Sequence, residues 1–232
     1  MRKPWMAAAF ALLLMVVAGC HEPADEPEPS SGVQPEEKPV YTIRSLDQMT
    51  LREKVGQLFN VRVEALDVNS SGTVTAALKG VDEGFRKYPC GGLTLYAANI
   101  KNPDQIVAFT KYLHGLGDYP LLCIDEEGGR VARIGNNANF QVEKFESMGA
   151  IGATGDPQNA YYCGNTIGTY LRKYGFDIDF APVADVNTNP ENIVIGARAF
   201  SDDPEVAAPM VVNYLQGLKD AGITGCIKHF PG

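Results

Sequence analysis

The 232-residue sequence contains few histidines and cysteines and has no surplus of basic side chains. Its 20 Lys and Arg residues are outnumbered by 28 Asp and Glu, which argues against a nucleic-acid surface, because such a surface needs clustered basic residues. The three histidines and five cysteines include no CxxC pair, so we predict no zinc-type cluster and no cofactor. No apolar run of about 20 residues occurs beyond the start, which excludes a polytopic membrane protein.

The first twenty residues are typical of an export signal. Arg2 and Lys3 form a basic start, and the apolar stretch 7–18 is too short to span a bilayer as a stable helix. It ends on Val-Ala-Gly-Cys, which resembles the cleavage box of bacterial lipoproteins, with Cys20 as the lipidated residue. The alternative is an ordinary cleaved signal peptide with a coincidental cysteine. We expect an exported lipoprotein of the bacterial cell envelope, anchored to a membrane and facing the periplasm or the surface.

The next segment is predicted to be an acidic tether. Residues 21–39 are rich in Pro, Glu and Ser and include Val33 as their one large apolar residue. Such a segment cannot bury enough surface to offset the entropy lost on ordering. We therefore predict a signal peptide over 1–20, a tether over 21–45 and a folded region over 46–232.

From residue 46 onward, strand-like and helix-like segments alternate. Five apolar runs predict strands: 58–63, 91–96, 120–124, 176–181 and 224–230. One helix is predicted over about 74–88, and four more by capping residues, three of which precede a proline: Thr50, Asn102, Asp156 and Asp203. This alternation predicts a parallel α/β sheet, either open and doubly wound or closed into an eight-stranded barrel. No GxGxxG follows the first strand and no Walker sequence occurs, so a nucleotide-binding sheet is disfavoured.

Four cysteines remain after Cys20: Cys90, Cys123, Cys163 and Cys226. An even number in an exported protein is compatible with disulfides. However, Cys123 and Cys226 lie in apolar runs that we predict to be separate core strands, where a buried free thiol is the commoner state. We therefore predict unpaired, buried cysteines.

Polar residues follow three of the predicted strands: Asp125, Asp185, and Lys228 with His229. Eight-stranded barrels gather their chemistry at the carboxyl ends of their strands, so this placement favours a barrel with a site at that end. The Lys–His pair interrupts an apolar strand end, where an unpaired charge is costly, and this also favours a site.

Each of these clusters also has a purely structural interpretation, which for His229 is a lone structural histidine. Segment 125–133 is either a solvated charged loop, whose arginines neutralise its acids for about 0–1 kcal/mol, or a polar clamp. In the clamp, Asp125 accepts two sugar hydroxyls and Arg133 orients it. Asp185 could instead close a turn, so its interpretation stays open.

Four motifs, taken together, resemble glycoside hydrolase family 3. They occur in family-like order and spacing: LLCIDEEGGRV (121–131), DFAPVADV (179–186), IGARAF (195–200) and KHFPG (228–232). The opening MTLREKVGQLF (49–59) is also similar to the start of that family. Lys-His-Phe followed by Pro-Gly favours the β-N-acetylhexosaminidase branch over the β-glucosidases.

The resemblance implies a TIM-type (β/α)8 barrel and a retaining glycosidase that removes terminal β-linked N-acetylhexosamine. The substrate would be a glycan or peptidoglycan fragment that contains N-acetylglucosamine. The residues that match the family's binding groups for the sugar at the −1 subsite are Asp125, Arg133, Arg198, Lys228 and His229. None of them is implied to be catalytic.

In this branch the acid/base histidine and the nucleophilic aspartate follow the KHFPG motif, so we expect both beyond Gly232. The region 46–232 would then be a barrel truncated after about five strands, which carries only the binding half and is inactive by itself. The alternatives are a β-glucosidase or β-xylosidase of the same family, and a non-catalytic sugar-binding lipoprotein that ends at Gly232.

Overall fold

The computed structural model describes residues 43–67 and 72–230. The predicted signal peptide, the lipidation site at Cys20 and most of the predicted tether lie outside the described residues. In the described part, no helix is long and apolar enough to cross a membrane.

Thirteen helices and strands, apart from short 3-10 turns, make up the described fold. The helices are α1 (Leu51–Gly56), α2 (Lys79–Lys87), α3 (Pro103–His114), α4 (Met148–Gly152), α5 (Pro157–Lys173) and α6 (Pro204–Asp220). The strands are β1 (Asn60–Arg62), β2 (Gly92–Thr94), β3 (Leu121–Ile124), β4 (Glu126–Gly128), β5 (Val131–Ala132), β6 (Ile178–Asp179) and β7 (Thr224–Gly225).

Five of the strands form one parallel sheet in the order β1-β2-β3-β6-β7. Leu93, Leu122 and Ile124 from its central strands are fully buried in the core that the helices cover. The prediction of a parallel α/β sheet with five strands is therefore confirmed. Among the described residues the sheet does not close on itself, and β1 and β7 are its two edges.

The capping residues begin helices where the sequence predicts them. The side chains of Asn102, Asp156 and Asp203 each accept a backbone N–H of the first turn of α3, α5 and α6, with proline at the first positions. Thr50 and Glu53 form the reciprocal capping box of α1.

Two predicted boundaries differ from the structure by five residues each. The helix predicted over 74–88 begins only at Lys79, because the carbonyls of Val74 and Thr75 accept side-chain N–H groups of Asn99 and Gln105 at 2.8 and 2.7 Å. The strand predicted over 224–230 ends at Gly225, and further along only an isolated parallel bridge joins Lys228 to the segment after β6.

The cysteine prediction holds with one exception. Cys90, Cys123, Cys163 and Cys226 are all free, and the first three are buried. Cys226 is exposed, contrary to the prediction, because it follows β7, an edge strand of the sheet that the described residues form, and lines an open cavity.

Segment 125–133 is not a solvated loop, because it contains the antiparallel hairpin β4–β5. Gly128 ends β4 and Gly129 begins the turn, with φ of 89° and 59°, a conformation that favours glycine. The fully buried carboxylate of Glu126 anchors the hairpin. It accepts hydrogen bonds from the backbone N–H groups of Arg133, Ile134 and Gly135 at 2.5–2.9 Å and from the hydroxyl of Tyr170 at 2.8 Å.

The Glu126 carboxylate therefore ties the hairpin both to the chain that follows it and to α5. Burial raises the pKa of Glu126, and the four donors oppose that shift. Because side chains alternate along an extended chain, a buried Glu126 turns Asp125 and Glu127 to the opposite side.

We expect Glu126→Gln to destabilise the fold. The amide offers one acceptor in place of a carboxylate and leaves buried N–H donors unpaired, which costs about 1–3 kcal/mol. For a domain of this size each kcal/mol lowers the melting temperature by about 2–4 °C. Thermal unfolding followed by circular dichroism measures the change, with Glu146→Gln on an exposed side chain as the control. Equal melting temperatures for the two variants would refute the anchoring role.

Candidate functional site

A cavity of about 420 Å³ lies at the carboxyl end of the parallel sheet. It is lined by charged, apolar and thiol side chains: Asp125, Glu127, Val131, Arg133, Phe180, Arg198, Cys226, Lys228 and His229. All five residues that the sequence singles out as binding groups are in this set. The structure thus brings together residues that lie up to 104 positions apart in the chain, from 125 to 229.

Different elements supply these side chains. Asp125 lies between β3 and β4, and Arg133 follows β5 directly. Arg198 ends a 3-10 turn ahead of α6, while Lys228 and His229 follow β7. The carboxyl ends of parallel strands meet at one edge of a sheet, which explains why this set converges.

Lys228 is held between two carboxylates. Its Nζ lies 2.8 Å from Oδ1 of Asp125 and also forms an ion pair with Oε1 of Glu127. Arg133 approaches Asp125 from the other side, with Nη2 3.4 Å from Oδ2. Burial alone would raise the pKa of Asp125, but Lys228 and Arg133 outweigh it and hold that pKa below its usual range. Asp125 is therefore an ionised acceptor at neutral pH.

Glu127 is the site residue that the sequence prediction missed. Its side chain is only 1% exposed and accepts a bidentate pair from Arg198, Nε to Oε2 and Nη2 to Oε1, both at 2.7 Å. The hydrogen bonds to Glu127 raise the pKa of Arg198. A signal for Glu127 was present, because residues two apart in an extended strand face the same side and Glu127 lies two positions after Asp125.

His229 is positioned by Asp185. Its Nδ1 donates to Oδ2 of Asp185 at 2.6 Å, and its Nε2 lies 3.3 Å from Nη2 of Arg198. The structure therefore decides the open question about Asp185, because its carboxylate supports a residue that lines the cavity. The imidazole of His229 remains partly exposed to the cavity.

The cavity lining carries charges of both signs. The carboxylates of Asp125 and Glu127 lie beside three permanent cations, Arg133, Arg198 and Lys228, while Asp185, which is not part of the lining, contacts His229. The Nε of Arg133 is buried without a hydrogen-bond partner among the described atoms. Ionised acceptors beside cationic donors suit a ligand with many hydroxyls and no net charge. In the described residues no group of three or more His, Cys, Asp or Glu side chains could hold a metal ion.

Comparison with known proteins gives consistent matches. "Beta-hexosaminidase A" of Pseudoalteromonas piscicida is 37% identical over 161 residues, which are 66% of this chain and 26% of that protein. "Beta-hexosaminidase" of Pseudomonas aeruginosa is 34% identical over 160 residues, which are 67% of this chain and 46% of that protein. This chain thus spans between about a quarter and a half of these relatives.

Solved structures show the same fold. A glycoside hydrolase family 3 β-N-acetylglucosaminidase from Paenibacillus sp. superposes with a TM-score of 0.69 at 32% identity, over 79% of this chain and 34% of that one. NagZ from Neisseria gonorrhoeae superposes with a TM-score of 0.65 at 25% identity, over 76% of this chain and 49% of that one. Residues 50–232 match the family described as "Glycosyl hydrolase family 3 N terminal domain". With this match over most of its length and its strand-end motifs gathered around one cavity, the chain belongs to glycosyl hydrolase family 3.

Proposed function

We propose that the full-length protein is a retaining glycosidase that removes terminal β-linked N-acetylhexosamine, with N-acetylglucosamine as the sugar. The observation that carries the proposal is the convergence of Asp125, Arg133, Arg198, Lys228 and His229 around one cavity. The family to which the chain belongs supports this role, because the sequence resemblance implies that each of these residues contacts the sugar.

The relatives support the choice of sugar. The curated relatives are named β-hexosaminidases, and the solved neighbours include enzymes described as β-N-acetylglucosaminidases. NagZ of Neisseria gonorrhoeae was also solved in complex with N-trifluoroacetyl-D-glucosamine. We therefore favour a glycan or a peptidoglycan fragment that contains N-acetylglucosamine as the substrate.

The cavity residues act in this proposal as binding groups. Asp125 accepts two neighbouring sugar hydroxyls, while Arg198 and Lys228 donate to ring substituents. Contacts of this kind hold the pyranose and favour its distortion toward the transition state. A retaining reaction also needs a nucleophilic carboxylate and an acid/base, and we assign neither role to these binding residues.

The full-length polypeptide encoded by the gene should release nitrophenol from 4-nitrophenyl N-acetyl-β-D-glucosaminide much faster than from the β-glucoside or the β-xyloside. Absorbance at the nitrophenolate band measures all three rates under one set of conditions. A faster reaction with the glucoside or the xyloside would contradict N-acetylglucosamine as the sugar and identify the other sugar as the substrate. Binding of N-acetylglucosamine without cleavage of any of the three would favour a non-catalytic sugar-binding protein.

We expect Asp125→Asn to raise KM for the N-acetylglucosaminide by about 10- to 100-fold, because charge-assisted hydrogen bonds to hydroxyls and to Lys228 are weakened. Steady-state kinetics on the full-length polypeptide measures the change. Asp220→Asn is the matched control, since Asp220 lies in the last turn of α6, ahead of β7 and away from the cavity. An unchanged KM in Asp125→Asn would show that Asp125 does not bind the sugar.

We also propose that the protein is exported and anchored to a membrane through lipid on Cys20. The support is the basic and apolar leader that ends on Val-Ala-Gly-Cys. In cells that express Cys20→Ala, labelled fatty acid should no longer be incorporated into the protein. The protein should also no longer be found in the membrane fraction. Cys163→Ala, at a buried thiol of the folded region, is the control. Labelling that persists in Cys20→Ala would contradict lipidation at this residue.

A further inference from the structure

We propose that Glu127 is the positioning residue of this site: its buried carboxylate holds Arg198 and Lys228 together and offsets their positive charge. The proposal rests on the proposed function, because it assigns how two of the sugar-binding groups are placed. Glu127 acts through these two side chains, since both of its carboxylate oxygens are already occupied by them.

The geometry is that of a clamp on two cations from distant segments. Oε2 of Glu127 accepts from Nε of Arg198, and Oε1 accepts from Nη2 of Arg198 at 2.7 Å each. Oε1 also pairs with Nζ of Lys228. One oxygen atom is thus shared by a guanidinium and an ammonium that lie 30 positions apart in the chain, at 198 and 228. This shared oxygen keeps the two cations close to each other.

The clamp itself is fixed to the body of the fold. The hydroxyl of Tyr214 in α6 donates to the carbonyls of Glu126 and Glu127 at 3.3 Å each. The neighbouring Glu126 side chain is buried among its four donors. The backbone that carries Glu127 is therefore held from the core, so the carboxylate defines where the two cations lie.

Charge is essential to this role. Arg198 and Lys228 are donors only, and glutamine would turn an N–H₂ group toward one of them. Two cations that share a mostly buried position repel each other unless an anion lies between them. Without Glu127, the cavity lining would hold three permanent cations, Arg133, Arg198 and Lys228, against the single carboxylate of Asp125. Such a site attracts oxyanions in place of a neutral sugar.

Kinetics of Glu127→Gln and Glu127→Asp in the full-length polypeptide test the clamp. We expect Glu127→Gln to raise KM for the N-acetylglucosaminide by at least about 10-fold, with kcat changed less, because binding groups are displaced. Glu127→Asp keeps the charge and should recover part of the affinity. A role in packing alone predicts the reverse order, since glutamine preserves the shape of the side chain and aspartate does not. Glu83→Gln, on the exposed face of α2, is the control.

Binding of inorganic sulfate gives a second readout that does not depend on the sugar. Calorimetric titration should show sulfate bound by Glu127→Gln and not by the wild type, Glu127→Asp or Glu83→Gln. Sulfate should also inhibit Glu127→Gln competitively. Melting temperatures of all four proteins, measured alongside, separate a misfolded variant from one whose cavity has gained charge.

The outcomes separate this inference from the proposed function. A wild type that cleaves the N-acetylglucosaminide, together with a Glu127→Gln variant that has wild-type KM and binds no sulfate, overturns the clamp and leaves the function standing. A wild type that neither binds nor cleaves the sugar overturns the proposed function. In that case sulfate binding by Glu127→Gln alone still supports the clamp, and its absence overturns it.

Discussion

The buried carboxylate of Glu126 is the contact on which the arrangement of the cavity depends. An acid in the core is costly unless donors surround it, and here three backbone amides and a tyrosine hydroxyl do so. The bonds to the backbone amides fix the segment after the hairpin, residues 133–135, to β4. Because neighbouring side chains alternate in direction, burying Glu126 presents Asp125 and Glu127 together to the cavity. Burying the hydrogen-bonded Glu126 carboxylate thereby places the carboxylates of Asp125 and Glu127 at the cavity.

A second constraint is the parallel sheet, which brings the ends of β3, β6 and β7 to one edge. Asp125 follows β3, Asp185 lies beyond β6, and Lys228 lies beyond β7. The resulting ion pairs join segments about 100 residues apart, such as Asp125 with Lys228. The charges alternate along this network, so each of these charged side chains has a neighbour of opposite sign. A neutral, hydroxyl-rich ligand is the chemistry that such a network fits.

Much of the fold could be predicted because its signals are local. The Asn102, Asp156 and Asp203 caps each act within one helical turn, and the apolar runs of the strands need no knowledge of their neighbours. The start of α2 could not be predicted in this way, because the carbonyls of Val74 and Thr75 are taken by side chains from a later segment. The prediction that Cys226 is buried was wrong for a related reason. An apolar run does not show whether its strand lies at an edge of the described sheet.

The sequence by itself determined the alternation of strands and helices, the starts of the capped helices and the five candidate residues that line the cavity. It could do so because caps, periodicity and motifs are written in adjacent residues. Only the tertiary structure decided that Asp185 supports His229, that Glu127 joins Arg198 to Lys228, and that segment 125–133 is a hairpin over a buried acid. These features depend on contacts between residues far apart in the chain, and such residues come close to one another only once the sheet has formed.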